Sequence, residues 1–154
     1  MVLDRTAELI AASAQEFLAE HGDLIFLNHG DYIAYGEYVN LLQMADGDIA
    51  QGNCYRASCF VVDLLENEAF GGENMHVIAI SDGEAFHAAL AMSVDDNWYI
   101  VDFTARQFDE NLPFPYIATQ DEWKREIDNA LASFTGYCQD ASDPDSFQEA
   151  DYWD

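Results

Sequence analysis

The chain has 154 residues, half of them apolar and 14% aromatic, which suits one domain with a buried core and excludes a disordered polypeptide. Thirty acidic residues against five basic ones give a formal charge of −25, a surface that repels phosphate backbones and argues against direct nucleic-acid binding. No apolar run approaches the roughly 18 residues of a membrane span, and Met1–Thr6 lacks the basic start and apolar middle of a signal peptide, so a cytoplasmic protein with no membrane role is expected.

Residues 4–20 read as a helix, with Ile10, Ala14, Phe17 and Leu18 at helical spacing and His21-Gly22 as its stop. Leu24–Leu27 is a short apolar run, and Asn28–Asp31 is turn-like. Tyr32–Met44 has a weak helical pattern that Ala45–Asp48 breaks. Residues 54–66 form a clearer helix, with Cys54, Ala57, Ser58, Val61 and Leu65 on one face and Asn53 as N-cap. Three strands are then expected as a meander, 75–80, 85–94 and 98–104, with Asp95-Asp96-Asn97 turning the second pair. Pro113 and Pro115 mark an extended segment. Asp121–Ala132 is a helix that Thr119 caps, with Glu122 three residues on. Residues 1–139 are expected as a single domain and 140–154 as a mobile acidic tail.

Three cysteines, Cys54, Cys59 and Cys138, are an odd number without zinc-like spacing. No disulfide framework, metal or other cofactor is expected, and the thiols suit a reducing compartment. Cys54 opens a helix just after Gly52-Asn53. A thiol attacks as thiolate, and a helix N-terminus with a neighbouring histidinium stabilises that anion. His87 and Asp102 supply the rest on the strand pair. If Asp95-Asp96 is a two-residue turn, Val94 faces Asn97 and Ala89 faces Asp102. His87 and Asp102 then share a sheet face as diagonal neighbours, about 7–8 Å apart at the backbone. A one-residue slip would separate them. Cys54 is thus the candidate nucleophile, His87 the acid/base and Asp102 its orienter. Gln51, Asn53 and Gln107 are candidate oxyanion or substrate residues. The same register gathers Ala88, Leu90, Met92, Tyr99 and Val101 on one face and Ala89, Ala91 and Ile100 on the other. The alanines suggest that the Cys54 helix packs on the second face. Cys59 lies about 140° round the helix from Cys54 and reads as packing.

The run Asp102-Phe103-Thr104-Ala105-Arg106-Gln107-Phe108-Asp109, continuing through Leu112-Pro113-Phe114-Pro115, resembles a segment of papain-like-fold domains. Such domains occur in bacterial polymorphic toxins and in actinobacterial and phage proteins. Gly52-Asn53-Cys54 resembles the start of their nucleophile helix, and His87 matches their strand histidine. The spacing from His87 to Asp102 is also similar to that of the transglutaminase-like branch. The resemblance covers about residues 51–116. It implies an α+β fold, with the nucleophile-bearing helix packed on a small antiparallel sheet. An aromatic residue often follows the histidine in such domains; Ala88 stands there instead and suggests a more open pocket wall. Arg106 and Gln107 pin the strand end or shape the pocket.

The function expected is a cysteine hydrolase acting on an amide bond of a protein or peptide-like substrate, as peptidase or glutamine deamidase, through a thioester. The alternatives are transglutaminase-like acyl transfer at the same site and a non-catalytic acidic decoy or inhibitor. The charge is read as a solvating coat, an adaptation to high salt, or a surface for a basic protein partner.

Overall fold

The computed structural model describes residues 5–28, 30, 32–34, 36–65, 70, 73–81, 86–131 and 147–149. Helix α1, Arg5–His21, buries Ala7, Ile10, Ala14, Phe17 and Leu18, the stripe its sequence period sets up. It lies near the strand that follows Pro115, and Gln15 Nε2 donates to the Phe114 carbonyl at 3.0 Å.

The segment after α1 departs from the weak helix expected over 32–44. Ile25–Leu27 (β1) pairs antiparallel with Tyr38–Asn40 (β2), with Phe26 opposite Val39 and both buried. The alternation of buried and exposed residues there is a strand's, and Tyr38 and Val39 are good strand formers. Asn40 then caps a 3-10 turn, Leu41–Ala45, through a reciprocal pair of bonds with Gln43. Asp46 accepts from the Asp48 N–H and opens the short helix α2, Gly47–Ala50. The expected break at 45–48 is therefore a junction of two caps.

Helix α3, Cys54–Leu65, follows, and the carbonyl of Asn53 accepts its first bond, from the Ala57 N–H at 2.8 Å. Five strands form the main sheet: Glu73–Ser81 (β3), Phe86–Val94 (β4), Asn97–Asp102 (β5), Tyr116–Thr119 (β6) and Phe147–Glu149 (β7). Their spatial order is β6-β5-β4-β3-β7, all neighbours antiparallel. The turn between β4 and β5 has positive φ at both Asp95 and Asp96, the two-residue type I′ geometry. It sets Val94 opposite Asn97 and Leu90 opposite Val101, the expected register. Strand β6 was not expected from sequence; it pairs Asp102 with Tyr116 and Ile100 with Ala118. Helix α4, Gln120–Leu131, begins with the expected box: Thr119 N–H donates to Glu122 Oε1 at 3.1 Å, and Glu122 N–H to Thr119 Oγ1 at 3.3 Å. Most of the expected tail lies outside the described residues, but Phe147–Glu149 joins the sheet edge on β3.

The faces of the sheet correct one expectation. Helix α3 packs on the heavy aliphatic face: Cys54, Ala57 and Val61 share a core with Ala88, Leu90, Met92, Tyr99 and Val101. The alanine face receives α4 instead, as Trp123 and Ile127 pack on Ala89, Ala91, Ile100 and Ala118. Small residues do admit a close neighbour there, and that neighbour is an indole. Ala88 likewise faces the α3 core, fully buried, and does not widen a pocket wall.

Candidate active site

Cys54 is the first residue of α3, held by a loop that is braced from outside the helix. Asn53 is fully buried, and its amide nitrogen donates to Asn28 Oδ1 and to the Ile49 carbonyl, both at 2.9 Å. Both amide hydrogens are thus engaged in the scaffold, which leaves none for the oxyanion or substrate role expected of Asn53. Asn28, also buried, holds its own loop by accepting from the Gly30 N–H at 3.0 Å and donating to the Gly30 and Ile33 carbonyls. Gly30 is required by close approach. A Cβ there would lie 2.2 Å from the Gln51 carbonyl oxygen. Gln51 itself is exposed, three residues before the thiol.

His87 and Asp102 meet as the register requires. The ladder between β4 and β5 ends at Leu90–Val101, so His87 lies past its end. Its Nε2 is 2.7 Å from Asp102 Oδ2, and both side chains are buried. An ionised carboxylate only accepts, so Nε2 carries the proton and donates it. The thiol of Cys54 is hydrogen-bonded to the same ring, which leaves Nδ1 as the nitrogen facing sulfur. The helix on one face of the sheet and the imidazole from the other therefore converge at the strand end. Gln107 Nε2 lies 3.4 Å from His87 Nδ1, beside the thiol. Gln51, Gly52, Gln107 and Phe108 keep some exposure and mark the side of approach, while Cys54 is only 7% exposed.

The carboxylate of Asp102 is enclosed by donors. Thr104 N–H reaches Oδ1 at 2.9 Å, and Trp123 Nε1 donates to Oδ2 at 2.8 Å. The Trp123 ring stacks on His87 at 5.8 Å and 27°, and Phe108 meets the imidazole edge-on at 4.7 Å. Burial works against the charged form of His87, but the charge and hydrogen bond of Asp102, with smaller contributions from Cys54, outweigh it and hold the ring at about 10. Burial likewise raises Asp102, but the His87 charge and the bonds from His87, Trp123 and Thr104 hold it below the ordinary carboxylate value. The pair is ionic at neutral pH.

Arg106 has a scaffold role. Its Nε donates to the Leu112 carbonyl at 2.8 Å and its Nη1 to that of Ala45 at 3.3 Å, while the guanidinium lies over Phe114. Cys59 is buried in the main core and forms no disulfide, and Cys138 lies outside the described residues. Sequence reasoning missed Trp123, Thr104 and Asn28. Trp123 had a visible signal, a bulky aromatic four residues before Ile127 on a largely polar helix, and Thr104 stands two residues after Asp102 in the Asp102–Asp109 run.

The profile of a family described as dermonecrotoxin of the papain-like fold matches residues 51–153. The chain belongs to this family. The match takes in the site from Gln51 through Trp123, whereas Asn28 and Gly30 brace it from the unmatched first 50 residues. Papain-like toxin domains are generally enzymatic, and the mixed helix-and-sheet architecture agrees with that fold. No curated protein and no solved structure matches the chain.

Proposed function

We propose that this dermonecrotoxin-family domain is a cysteine hydrolase that cleaves a carboxamide through a thioester at Cys54. The observation that carries the reading is the His87 ring, which holds Asp102 through Nε2 and meets the Cys54 thiol at its other nitrogen. In this mechanism Cys54 Sγ, as thiolate, attacks the carbonyl carbon while Nδ1–H of the imidazolium faces the leaving nitrogen. The tetrahedral oxyanion takes a hydrogen bond from the Cys54 backbone N–H, and from Gln107 Nε2 or the Gln51 amide. Collapse breaks the C–N bond, and Nδ1 gives its proton to the departing amine. Nδ1 then removes a proton from water as its oxygen attacks the thioester carbon; collapse breaks the C–S bond, the acid leaves, and the thiolate and imidazolium are restored.

Between side-chain deamidation and peptide cleavage, the burial of Cys54 favours deamidation. A glutamine-like carboxamide is slender and enters end-on, whereas a peptide bond must bring backbone past the sulfur on both sides. The charge of −25 favours a basic protein as the carrier of that amide, and a nucleophile that must stay reduced suits a cytoplasm. The test is a thiol-directed carboxamide-mimic probe with peptide mapping, together with ammonia release from glutamine-bearing basic proteins. Cys54→Ala should abolish both. Labelling that maps to Cys59 instead would refute the assignment, and a covalent adduct with an added primary amine would make the reaction acyl transfer.

A further inference from the structure

Trp123 is fully buried on the first turn of α4, on the sheet face opposite the helix of the thiol. A buried indole needs an acceptor for its N–H, and any carbonyl would serve. Trp123 instead donates to the same oxygen that His87 uses: Oδ2 of Asp102 is 2.8 Å from Trp123 Nε1 and 2.7 Å from His87 Nε2. The indole plane also stacks on the imidazole, and Phe108 closes the ring from its edge. Thr104 fixes the other carboxylate oxygen. The indole moves on two torsions only, and the Thr119–Glu122 box and the Ile127 contact with the alanine face hold its helix.

We propose that Trp123 is a positioning residue of the site, whose indole N–H shares Asp102 Oδ2 with His87 and so fixes the carboxylate and the imidazole with Nδ1 turned to the Cys54 thiol. The inference rests on the reading of Cys54, His87 and Asp102 as a triad. Two donors on one oxygen lower its affinity for a proton, so the proton stays on Nε2 and the tautomer is set. The stacked plane keeps the ring from rotating about its bond to Asp102. The titratable and charged groups around the His87–Asp102 pair are Cys54 from α3, which faces the imidazole, and Tyr116 from β6, which faces the carboxylate, with Glu122, Arg125 and Glu126 of α4 beyond Tyr116.

Trp123→Phe keeps a ring in the stack and removes the N–H. The measurement is the rate of Cys54 alkylation by iodoacetamide against pH, read by mass spectrometry of the Cys54 peptide, in the full chain. The expected result is an acid limb moved up by about one pH unit, with a rate about tenfold lower along that limb, the size of one lost bond to a charged acceptor. Trp123→Phe in an Asp102→Asn background should add little, because the indole acts through that carboxylate. A limb left in place, or effects that add in full, would overturn the role. If Trp123→Phe does not fold, the wild-type indole N–H resonance decides, assigned with Trp98→Phe and Trp153→Phe. It should titrate with the acid limb and shift in Asp102→Asn; a pH-independent resonance overturns the proposal. Wild-type Cys54 that alkylates like a plain thiol overturns the triad and this inference together, whereas a triad-like wild-type profile untouched by Trp123→Phe overturns the inference alone.

Discussion

Asp102→Asn is nearly isosteric, yet the surroundings of Asp102 accommodate no orientation of the amide. Oδ2 accepts from His87 and Trp123, and Oδ1 from the Thr104 N–H. An asparagine has one oxygen and one NH2. With NH2 at the Oδ2 position, His87 can adapt by moving its proton to Nδ1, but the indole N–H is left facing a donor. With NH2 at Oδ1, the Thr104 N–H is. Either way a buried donor loses its partner, at about 1–3 kcal/mol. Loss of the charge adds to this, since breaking a buried ion pair from one side costs about 3–5 kcal/mol, an upper bound here because the amide still accepts. His87 has its pKa raised from 6.5 to about 10, so its contribution is complete below 6.5 and fades as pH rises through about 10. Asp102 has its pKa lowered, so its contribution is present above the ordinary carboxylate value and fades as pH falls through the lowered one. The stability gap between wild type and Asp102→Asn should therefore be widest from about pH 5 to 6.5, at about 2–5 kcal/mol, and should narrow as pH rises toward about 10 and as it falls through the carboxylate range. Urea denaturation at fixed ionic strength measures it, and constant salt matters for a chain of this charge. Turnover should fall about 10²–10⁴-fold, the span of general acid–base contributions. A gap that stays constant between pH 6 and 11 would refute the ionic pairing, even if activity were lost.

Two further substitutions probe the supports of the site. Gly30→Ala places a Cβ against the Gln51 carbonyl and should destabilise the fold by about 1–3 kcal/mol while slowing Cys54 alkylation. Gly36→Ala, where a φ of 96° would strain any side chain but nothing lies within 4 Å, should affect stability alone. Thr119→Ala removes the acceptor for the Glu122 N–H at the start of α4 and should cost about 1 kcal/mol. That corresponds to about 2–4 °C in Tm by calorimetry for a chain of this length.

What could be read from sequence was local or followed from a local feature. Asp95-Asp96 set the register of β4 on β5, and the register put His87 beside Asp102. Thr119 and Glu122 announced the start of α4, and Asn53 that of α3. The unread parts depend on partners far along the chain. Tyr38–Asn40 is a strand because β1 lies opposite, and β6 exists because β5 offers it an edge. Which helix covers which face turned on fit between distant side chains. Alanines that seemed to invite α3 accept the indole of α4, and α3, with small residues of its own, meets the large aliphatic face. Asn53 could not be assigned from its own position, because its amide partner is 25 residues upstream.

The exchange of faces has a consequence for the chemistry. Had α3 packed on the alanine face, thiol, imidazole and carboxylate would all have crowded one side, and the back of Asp102 would have met the aliphatic core. With α3 on one side and α4 on the other, the sheet separates the Cys54 thiol from the carboxylate. The imidazole, past the end of the β4–β5 ladder, is the group that touches both. The thiol stands at the N-terminus of a twelve-residue helix, where the backbone favours an anion. The carboxylate sits in a pocket of N–H donors that compensates its burial. Thiol and carboxylate thus each have their own support, and His87 can hold a positive charge between them without either having to approach the other.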